Sequence, residues 1–379
     1  SLQAEDAVEV AGLDYVIHTT QSTNDPFIND QWGLVETPGV NASGAWSTAT
    51  GTSTVVVAVI DTGIQLNHPD LASNIWVNPG EIPGNGFDDD NNGYVDDING
   101  WDFWNWDNNP DDDDIDGHGT HIAGTIGAVT NNGIGVAGIA PNVRLMALKV
   151  FNADGLAYSN DFYTALEYAL TNGAHVSNNS WGGYGKHPAM EALIDAAGRV
   201  GHVFVASVGN DETNTDITPQ YPSAYLSDNI ISVGAIDQSG RMASFSNYGR
   251  TSVDVAAPGR DIFSTVNNGS YDWMSGTSMA TPHVTGVVAL LRSIEPNVIP
   301  SAIREILVDT SQPDSRLRNL TVSEGIVDAA AAVRTITQSI LPTTTVPIPT
   351  TLAPATTQAP ATTAPPATTQ APATTAPPA

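Results

Sequence analysis

Three short segments of this chain supply the residue types of a nucleophile, a base and an orienting acid. Ser278 lies in GTSMATPH, and a serine hydroxyl becomes a good nucleophile only when a neighbouring base takes its proton. His118, in HGTHIAG, is a candidate for that base, and Asp61, which ends the apolar run in VVVAVIDTG, could orient the histidine. The chain order Asp, His, Ser is one of three unrelated orders that build the same hydrolytic geometry.

Each segment alone also has a simpler interpretation. GTS is a common helix start with Ser or Thr as the cap, DTG fits a strand end with a turn, and GHGTH could cap a helix or bind a metal. Their occurrence together, in order and at domain-scale separations, favours the chemical interpretation. With these segments the chain resembles the subtilisin family of serine endopeptidases, and the resemblance covers roughly residues 22–335.

The resemblance implies that Ser278 attacks a peptide carbonyl, that His118 takes and returns the proton, and that Asp61 fixes the imidazole. It also implies that Asn210, in ASVGN, donates its side-chain amide to the oxyanion together with the Ser278 N–H. Taken alone, Asn210 would be an ordinary turn residue after a strand. The sedolisin type is disfavoured, because it lacks the HGTH histidine and uses an acid at the oxyanion position.

The family pattern further implies where a peptide substrate would lie. NNSWGG, residues 178–183, resembles the segment whose backbone pairs with the substrate as an added strand. Residues 206–209 would face it across the primary specificity pocket, with a polar residue near the floor. The family usually has a smaller aliphatic residue where Trp181 stands, and Tyr158 also fits an ordinary loop tyrosine. The implied substrate-binding residues are Ser180, Trp181, Gly182, Ala206, Gly209, Gln220 and Tyr158.

The acidic segment DDDNNGYVDD, residues 88–97, opens like a calcium-binding loop. Alternate oxygen ligands wrap one ion, and Gly93 at the sixth position permits the sharp turn. The twelfth position is Asn99 rather than glutamate, so the match to an EF-hand is partial, and a solvated acidic loop is the alternative. The predicted ligands are Asp88, Asp90, Asn92, the Tyr94 carbonyl, Asp96 and Asp97.

The resemblance to subtilisin-like enzymes implies a second calcium site. Three segments match the family strings that hold this ion: NDP at 24–26, HPDL at 68–71 and VTNNGIGVAG at 129–138. The implied ligands are Asp25, Asp70, the Asn132 side chain and the carbonyls of Val129, Ile134 and Val136. The acidic run 111–114 could bind a further ion or could be a solvated charge run.

Composition narrows the class of protein. The 379 residues include no cysteine, which excludes disulfides and cysteine-rich zinc sites. The formal net charge of −29 repels phosphate backbones, so no nucleic-acid partner is expected. No apolar run reaches the roughly 20 residues of a membrane span. We therefore expect a secreted or cell-surface monomer that acts on protein or peptide substrates and is stabilised by calcium.

Strand and helix patterns alternate along the body of the chain. This alternation, with the family resemblance, predicts an α/β fold of three layers, in which helices cover both faces of a mostly parallel central sheet. Ligands of such sheets bind beyond the carboxyl ends of the strands. The predicted strands are 54–60, 143–150, 175–178, 202–207, 230–235 and 253–256, and the predicted helices are 118–129, 159–172, 188–200, 278–294, 300–309 and 327–337.

Three regions of different composition predict the domain organisation. Residues 1–21 resemble the end of an inhibitory propeptide, which would make the protein's own propeptide a partner; an ordinary N-terminal extension is the alternative. Residues 22–340 form the predicted catalytic domain. Residues 341–379 are uncharged, rich in Thr, Pro and Ala, and repeat ATTQAPATTAPP, which predicts a disordered linker or stalk.

Two rival functions use the same residues. The first is a catalytically silent relative that serves as a binding or adhesion module, and the second is a transferase or esterase with the same triad. The presence of Asp61, His118, Ser278 and Asn210 together weighs against the silent relative. A comparison of peptide hydrolysis with ester hydrolysis would distinguish a peptidase from the transferase or esterase.

Overall fold

The computed structural model describes residues 23–35 and 37–340, which contain one large sheet and a smaller hairpin. The predicted propeptide remnant 1–21 and the predicted stalk 341–379 lie outside the described residues. The strands are β1 Val56–Asp61, β2 Gly100–Asp102, β3 Arg144–Lys149, β4 Val176–Asn179, β5 Val203–Ser207, β6 Ile230–Ile236, β7 Val255–Pro258, β8 Ile262–Val266, β9 Ser270–Met274, β10 Gln312–Pro313 and β11 Gly325–Ile326.

The large sheet has the strand order β10-β11-β7-β6-β5-β4-β1-β3-β2. All neighbouring strands pair in parallel except β10 and β11, and β8 pairs with β9 as a separate antiparallel hairpin. Strand β1 runs in the interior of the sheet between β4 and β3. Its carboxyl end therefore brings Asp61 to the middle of the sheet edge where ligands of parallel sheets bind.

Helices cover both faces of the sheet, and none of those in the described part of the chain is both long and apolar enough to cross a membrane. Two short 3₁₀ turns, Ile28–Asp30 and Trp32–Leu34, precede the first helix. The helices are α1 Ala42–Ala45, α2 His118–Gly127, α3 Ser159–Thr171, α4 Pro188–Arg199, α5 Thr277–Ile294, α6 Pro300–Thr310 and α7 Ala329–Ile340.

The sequence of β1 explains why this strand is covered on both sides. Successive side chains of a strand point to opposite faces. Val57 and Val59 join the buried cluster that contains α2 and α5, while Ala58 and Ile60 join the cluster that contains α3 and α4. All four are fully buried, and burial of each larger side chain stabilises the fold by about 1.5–3 kcal/mol.

The α/β fold with a mostly parallel sheet is confirmed, and the six predicted strands and six predicted helices all form with shifts of a few residues at their ends. The structure adds the short helix α1, the short strands β2, β10 and β11, and the hairpin β8–β9, which the sequence analysis did not predict. The hairpin matters for function because part of it lines the cleft described next.

Candidate active site

Asp61 ends β1 and is completely buried. Its Oδ1 atom accepts a hydrogen bond from the N–H of Thr62 at 2.8 Å, whereas its Oδ2 atom is buried without a hydrogen-bond partner. No lysine or arginine forms an ion pair with Asp61 in the described part of the chain. The orientation of this carboxylate is therefore fixed by the strand end, and its charge acts mainly on its histidine neighbour.

That neighbour is His118, the first residue of α2. The distance between His118 Nδ1 and Asp61 Oδ1 is 2.6 Å, and the imidazole remains about 30% exposed. When Nδ1–H donates to the carboxylate, the lone pair of Nε2 is free to accept a proton. Burial lowers the pKa of His118, but the charge and hydrogen bond of Asp61 outweigh it, so the pKa lies above its usual value.

Ser278 is the second residue of α5 and is half-buried. Its hydroxyl donates to the backbone carbonyl of Ser180 at 3.1 Å, and the Ser180 hydroxyl donates to the carbonyl of Ser278 at 2.9 Å. Within the described residues, no hydrogen bond joins Ser278 to His118. Both nevertheless line one open cleft of about 950 Å³ together with Asp61, so the fold brings the three predicted groups to the same place.

Asn210 follows β5 and also lines this cleft. Its Oδ1 atom accepts from the N–H of Thr277 at 2.9 Å and from the Thr277 hydroxyl at 3.0 Å. With the carbonyl end of the amide engaged, the Nδ2 donors are left for another acceptor. The Ser278 N–H, at the start of α5, likewise has no acceptor among the described residues. Two N–H donors are therefore available beside the serine.

The segment around Trp181 borders a second, smaller cavity of about 380 Å³. The Trp181 indole N–H donates to the Ile60 carbonyl at 3.0 Å, and its ring packs against Phe162 with centroids 4.1 Å apart. Gly182 lines the same cavity, while Ser180 lines the larger cleft. The predicted substrate segment 180–182 thus runs between the two openings, and Trp181 fills space where a smaller side chain would leave room.

The other predicted substrate residues differ in accessibility. Ala206 is fully buried in β5, so its side chain does not reach a substrate, and we correct its assignment as a pocket wall because the strand turns this side chain into the core. Gln220 is buried and donates to the Asp211 carboxylate at 2.5 Å. Tyr158 is 68% exposed and stacks on Trp104, with ring centroids 5.2 Å apart and planes 5° from parallel.

Gly209 and Gln220 are in direct contact. A Cβ atom added to Gly209 would lie 1.8 Å from Gln220 Oε1, which is far inside van der Waals distance. The backbone of Gly209 also has a φ of +97°, a conformation that residues with side chains adopt rarely. Position 209 therefore requires glycine both for its backbone and for the space that Gln220 occupies.

In the acidic loop, three carboxylates converge: Glu81, Asp90 and Asp97 each offer an oxygen within 4.8 Å of the others. Asn78 Nδ2 donates to Asp90 at 3.0 Å and to Asp97 at 2.9 Å. Glu81 is 8% exposed, and its Oε2 atom is buried without a partner. Glu81 and Asp97 are buried and Asp90 is exposed, and carboxylates this close repel one another unless a cation or protons compensate their charge.

The remaining predicted loop ligands have other contacts. Asp88 accepts from the N–H groups of Asn92 and Gly93, and Asp96 accepts from those of Asn85 and Gly86. These two carboxylates thus stabilise turns of the loop and are not part of the three-carboxylate cluster. The Asn92 side chain does reach that cluster, since its Nδ2 donates to Asp97 at 2.9 Å. The predicted ligand atom of Tyr94 is its carbonyl oxygen, which accepts no hydrogen bond among the described residues, while its ring packs against Trp101, Phe103 and Tyr168.

The side chains predicted for the second calcium site are hydrogen-bonded to the same loop. Asn132 Nδ2 donates to Asp70 Oδ1 at 2.6 Å, and Asp25 accepts from the backbone N–H groups of Asn131 and Asn132. Asp25 and Asp70 are both buried, and no salt bridge involves either of them in the described part of the chain. Burial raises the pKa of Asp70 to about 6, because nothing but hydrogen bonds compensates the charge.

The three carbonyls implied for the same site are free to bind an ion. Among the described residues, no hydrogen bond goes to the carbonyl oxygens of Val129, Ile134 or Val136. Buried or partly buried carbonyls usually have a partner. Two carboxylates, one amide side chain and three free carbonyls make an all-oxygen set, which is the ligand type that calcium prefers.

Sequence reasoning missed Glu81 and underestimated the acidic run 111–114. Glu81 precedes the calcium-loop pattern by seven positions, so a search confined to the loop could not find it. Asp114 lies four residues before His118, a spacing from which an aspartate can reach the first turn of a helix; that signal was available. Lys149, buried at the end of β3 beside Asp61, carried no motif signal.

Comparison with known proteins places this geometry in a family. The sequence model of the Subtilase family matches residues 52–338 of the chain. A "Thermophilic serine proteinase" of Bacillus sp. strain AK1 is 39% identical over 305 residues, covering 80% of this chain and 67% of that protein. An "Extracellular protease" of Xanthomonas campestris is 37% identical over 357 residues, covering 88% of this chain and 60% of that protein.

Two further matches agree. "Subtilisin-like protease 1" of Plasmodium falciparum is 35% identical over 335 residues, covering 82% of this chain and 47% of that protein. A solved structure from the proteases of Pseudoalteromonas arctica superposes with a TM-score of 0.72 at 32% identity, covering 83% of this chain and all of that one. The chain spans about half to two thirds of the length of the curated relatives named here.

The fold, the site and these matches define a class. The chain belongs to the subtilase family, and its relatives support a serine endopeptidase.

Proposed function

We propose that this protein hydrolyses peptide bonds through Asp61, His118 and Ser278 by way of an acyl-enzyme. The observation that carries the proposal is the 2.6 Å contact between His118 and Asp61 at the edge of a cleft that Ser278 also lines. A buried carboxylate that orients a half-exposed imidazole has the arrangement of a general base. The family membership supports the same chemistry.

The reaction follows from the positions of these groups. The Ser278 hydroxyl exchanges its present acceptor, the Ser180 carbonyl, for His118 Nε2, and its oxygen attacks the carbonyl carbon of the substrate. The proton moves to Nε2, and Asp61 stabilises the resulting imidazolium. His118 then protonates the leaving amine as the C–N bond breaks. Water repeats the sequence on the ester, releases the carboxylic acid and returns the proton to Ser278.

The oxyanion that forms at the substrate carbonyl requires donors that are already oriented. The Ser278 N–H and the Asn210 amide are both available in the cleft, and Thr277 holds Asn210 by its carbonyl end. The amino end of α5 adds a partial positive charge at the same place. We propose these two groups as the oxyanion hole, which stabilises the transition state more than the ground state.

The substrate contacts that we propose lie along the segment 180–182, which borders both openings. Gly209 and Gln220 form one side of the primary pocket, and the exposed Tyr158 contributes a more distant contact. Gly183 already exchanges backbone hydrogen bonds with Tyr221, at 2.8 and 2.7 Å, which fixes the far side of this segment. A peptide substrate would add to the free side as an extended strand.

We propose that calcium stabilises the fold at two places. In the acidic loop, Glu81, Asp90 and Asp97 would bind one ion, because their carboxylate oxygens lie within 4.8 Å of one another and one Glu81 oxygen is buried without a partner among the described residues. At the second place, Asp25, Asp70, Asn132 and the three free carbonyls would bind another. An ion bound only by the folded state raises its stability by mass action. Neither ion takes part in the chemistry.

The setting of the enzyme is inferred from its relatives and composition. Two of the relatives bear names that include the word extracellular, and a chain without cysteine needs stabilisers other than disulfides outside the cell. We propose a secreted monomer that acts on protein or peptide substrates and is inhibited by its own propeptide before maturation. Recovery of active enzyme from culture medium, with N-terminal sequencing, tests secretion and processing together.

A fluorophosphonate label tests the chemistry directly. The label should react with Ser278 of the wild type and leave Ser278→Ala unlabelled, and only the wild type should cleave a peptide library. A protein that never reacts, while Ser278→Ala binds target proteins as the wild type does, would favour the binding module. Hydrolysis of simple esters without cleavage of any peptide would favour the esterase.

A further inference from the structure

Two carboxylates of the acidic run 111–114 bind the first turn of α2, the helix that His118 begins. Asp114 Oδ2 accepts from the N–H of His118 at 3.1 Å. Asp112 Oδ2 accepts from the N–H and the hydroxyl of Thr120 at 3.0 and 2.7 Å. The first N–H groups of a helix have no partners within it, and the N-cap residue Gly117 has no side chain to supply one. The two aspartates therefore cap the helix from upstream.

The other two carboxylates anchor the run to the sheet. Asp111 Oδ1 accepts from the N–H of Leu66, in the loop that follows β1, at 2.8 Å. Asp113 pairs with Lys149 Nζ at 2.5 Å, and the same ammonium donates to the Thr62 carbonyl at 2.8 Å. Lys149 is buried at the end of β3 and stands next to Asp61 in the sheet register. The run is thus held in place independently of the helix that it caps.

Thr62 closes the connection between the strand and the helix. Its N–H donates to Asp61 Oδ1, and its hydroxyl oxygen accepts from the N–H of Gly119 at 2.9 Å. The end of β1, the run 111–114 and the first turn of α2 consequently form one bonded unit around the Asp61–His118 contact. All four carboxylates of the run accept hydrogen bonds or an ion pair from the protein. These contacts explain the acidic run without a further bound ion and without a solvated charge run.

We propose that Asp112 and Asp114 are positioning residues for His118, which hold the first turn of α2 against β1 so that the imidazole meets Asp61. The proposal rests on the proposed function, because the position of His118 affects a rate only if His118 is the base. Neither aspartate touches the substrate in this assignment; each acts through the helix backbone. Misplacement of a catalytic group by about 1 Å costs up to about 10²-fold in rate.

The same two carboxylates also act on the charge of His118. Burial lowers the pKa of His118, whereas Asp61, Asp112 and Asp114 raise it. Other ionisable groups near the imidazole are His121 on α2, and Asp116 and Asp272 along the cleft. Burial lowers the pKa of His121 to about 3, so this neighbour is neutral at the pH of the assay. Burial raises the pKa of Asp112 to about 6, so this carboxylate itself becomes protonated along the acid limb. Loss of either positioning charge should lower the pKa of His118, and the effect of Asp112 should fade as Asp112 protonates.

Paired variants separate the hydrogen bond from the charge. Asparagine at position 112 or 114 keeps an acceptor for the helix but removes the charge, whereas alanine removes both. We expect Asp112→Asn and Asp114→Asn to move the acid limb of kcat/KM to lower pH with nearly normal kcat. Alanine at either position should also lower the plateau kcat by about 10-fold or more at similar KM. Asp107→Asn, on an exposed residue outside the cleft and, among the described residues, without a bond to α2, is the charge control and should keep its plateau kcat.

A readout that does not need turnover keeps the test decisive. In the Ser278→Ala background, the proton between His118 Nδ1 and Asp61 should give a low-field NMR signal that persists with asparagine and broadens with alanine. Folded alanine variants with wild-type kcat, acid limb and proton signal would overturn the proposal. If Asp112→Ala does not fold, the half-buried Asp114 carries the test. A wild type without peptidase activity or fluorophosphonate labelling would refute the proposed function instead, while the NMR signal would still report positioning.

Discussion

The side chain of Asn210, proposed as an oxyanion donor, is held in one orientation before any substrate binds. Its carbonyl oxygen is held by the N–H and the hydroxyl of Thr277, so its amide nitrogen cannot exchange places with the oxygen without losing two hydrogen bonds. A donor that is already oriented stabilises developing charge without reorganisation at the moment of reaction. The Ser278 N–H, fixed by the helix start, is a donor of the same kind.

Asn210→Ala should therefore lower kcat with little change in KM. Loss of one oxyanion donor costs about 10²–10³-fold in kcat, for which subtilisin itself is the reference case. The measurement is steady-state kinetics on one peptide substrate. Thr277→Val, which removes only the hydroxyl that orients the amide, should give a smaller loss in the same direction. An unchanged kcat in Asn210→Ala would remove this residue from the oxyanion hole.

The protonation of His118 predicts the pH profile. The base must be neutral to accept the Ser278 proton, and its pKa lies above the usual 6.5 because Asp61 outweighs the effect of burial. As the pH falls through this raised pKa, the imidazole becomes charged and kcat/KM should fall about tenfold per pH unit. The profile should be recorded with calcium present, so that unfolding does not contribute. Full activity at pH 5 would contradict the assignment of His118 as the base.

Individual site residues could be predicted where they stand in a distinctive local motif. Residues whose contacts come from distant parts of the sequence could not be predicted. Asp61, His118, Ser278 and Asn210 each stand in a distinctive string, and the fold brings all four to one cleft. Glu81 reaches its cluster from outside the loop pattern. Ala206 was assigned to the pocket from the family resemblance, yet the alternation of β5 turns its side chain into the core.

The same distinction holds for the strands: some could be predicted from their own sequence, and others depend on pairing with a distant strand. Buried parallel strands have continuous apolar sequences, and β1 was predicted for this reason. The hairpin β8–β9 carries a turn signal at Asn268–Gly269, both with positive φ, but its outer strand is partly exposed and has no clear alternation of apolar residues. Strands of two or three residues, such as β2 and β11, exist only because a neighbouring strand pairs with them.

The residue before β5 is a histidine that should make the fold sensitive to acid. His202 is buried, with Nδ1 bonded to the Ala174 carbonyl at 2.8 Å and Nε2 to the Ser177 hydroxyl at 2.9 Å. Burial lowers its pKa to about 4. Below pH 6.5 the unfolded chain binds a proton at this residue and the folded protein does not. The stability is therefore fully present above pH 6.5 and is lost as the pH falls towards 4.

We accordingly expect the loss of stability between pH 6.5 and 5 to be smaller in His202→Gln than in the wild type. One proton bound only by the unfolded state changes the free energy of unfolding by about 1.4 kcal/mol per pH unit. Urea denaturation at several pH values in constant calcium measures this slope. His187→Gln replaces an exposed histidine and serves as the control. Identical slopes in the His202→Gln variant and the wild type would contradict the prediction.

For the whole molecule, the excess of negative charge must be compensated where carboxylates are buried. The chain has 12 basic residues against 41 acidic ones, so few of its carboxylates can find a lysine or arginine. Hydrogen bonds from backbone N–H groups compensate some of them, as at Asp88, Asp96 and Asp114. In the described part of the chain, no lysine or arginine forms a salt bridge with the cluster of Glu81, Asp90 and Asp97 or with Asp25 and Asp70, which is why calcium is proposed there.

Removal of calcium should lower the melting temperature, and its return should restore it. An ion present at about 100 times its Kd contributes about 2.7 kcal/mol to the stability of the fold. Glu81→Gln should weaken this response, because it removes one carboxylate charge from the cluster. Asp88→Asn should weaken it less, because Asp88 bonds to loop N–H groups instead. A melting temperature that is the same in excess chelator and in excess calcium would refute both proposed sites.

The contact between Gly209 and Gln220 has a consequence for how this enzyme could diverge. A larger residue at 209 is barred twice, by the positive φ and by the neighbouring amide oxygen. Position 220 has no such backbone constraint on it. If the two residues line the primary pocket as proposed, libraries built from this sequence should change the preference for substrate side chains through residue 220, while position 209 stays glycine.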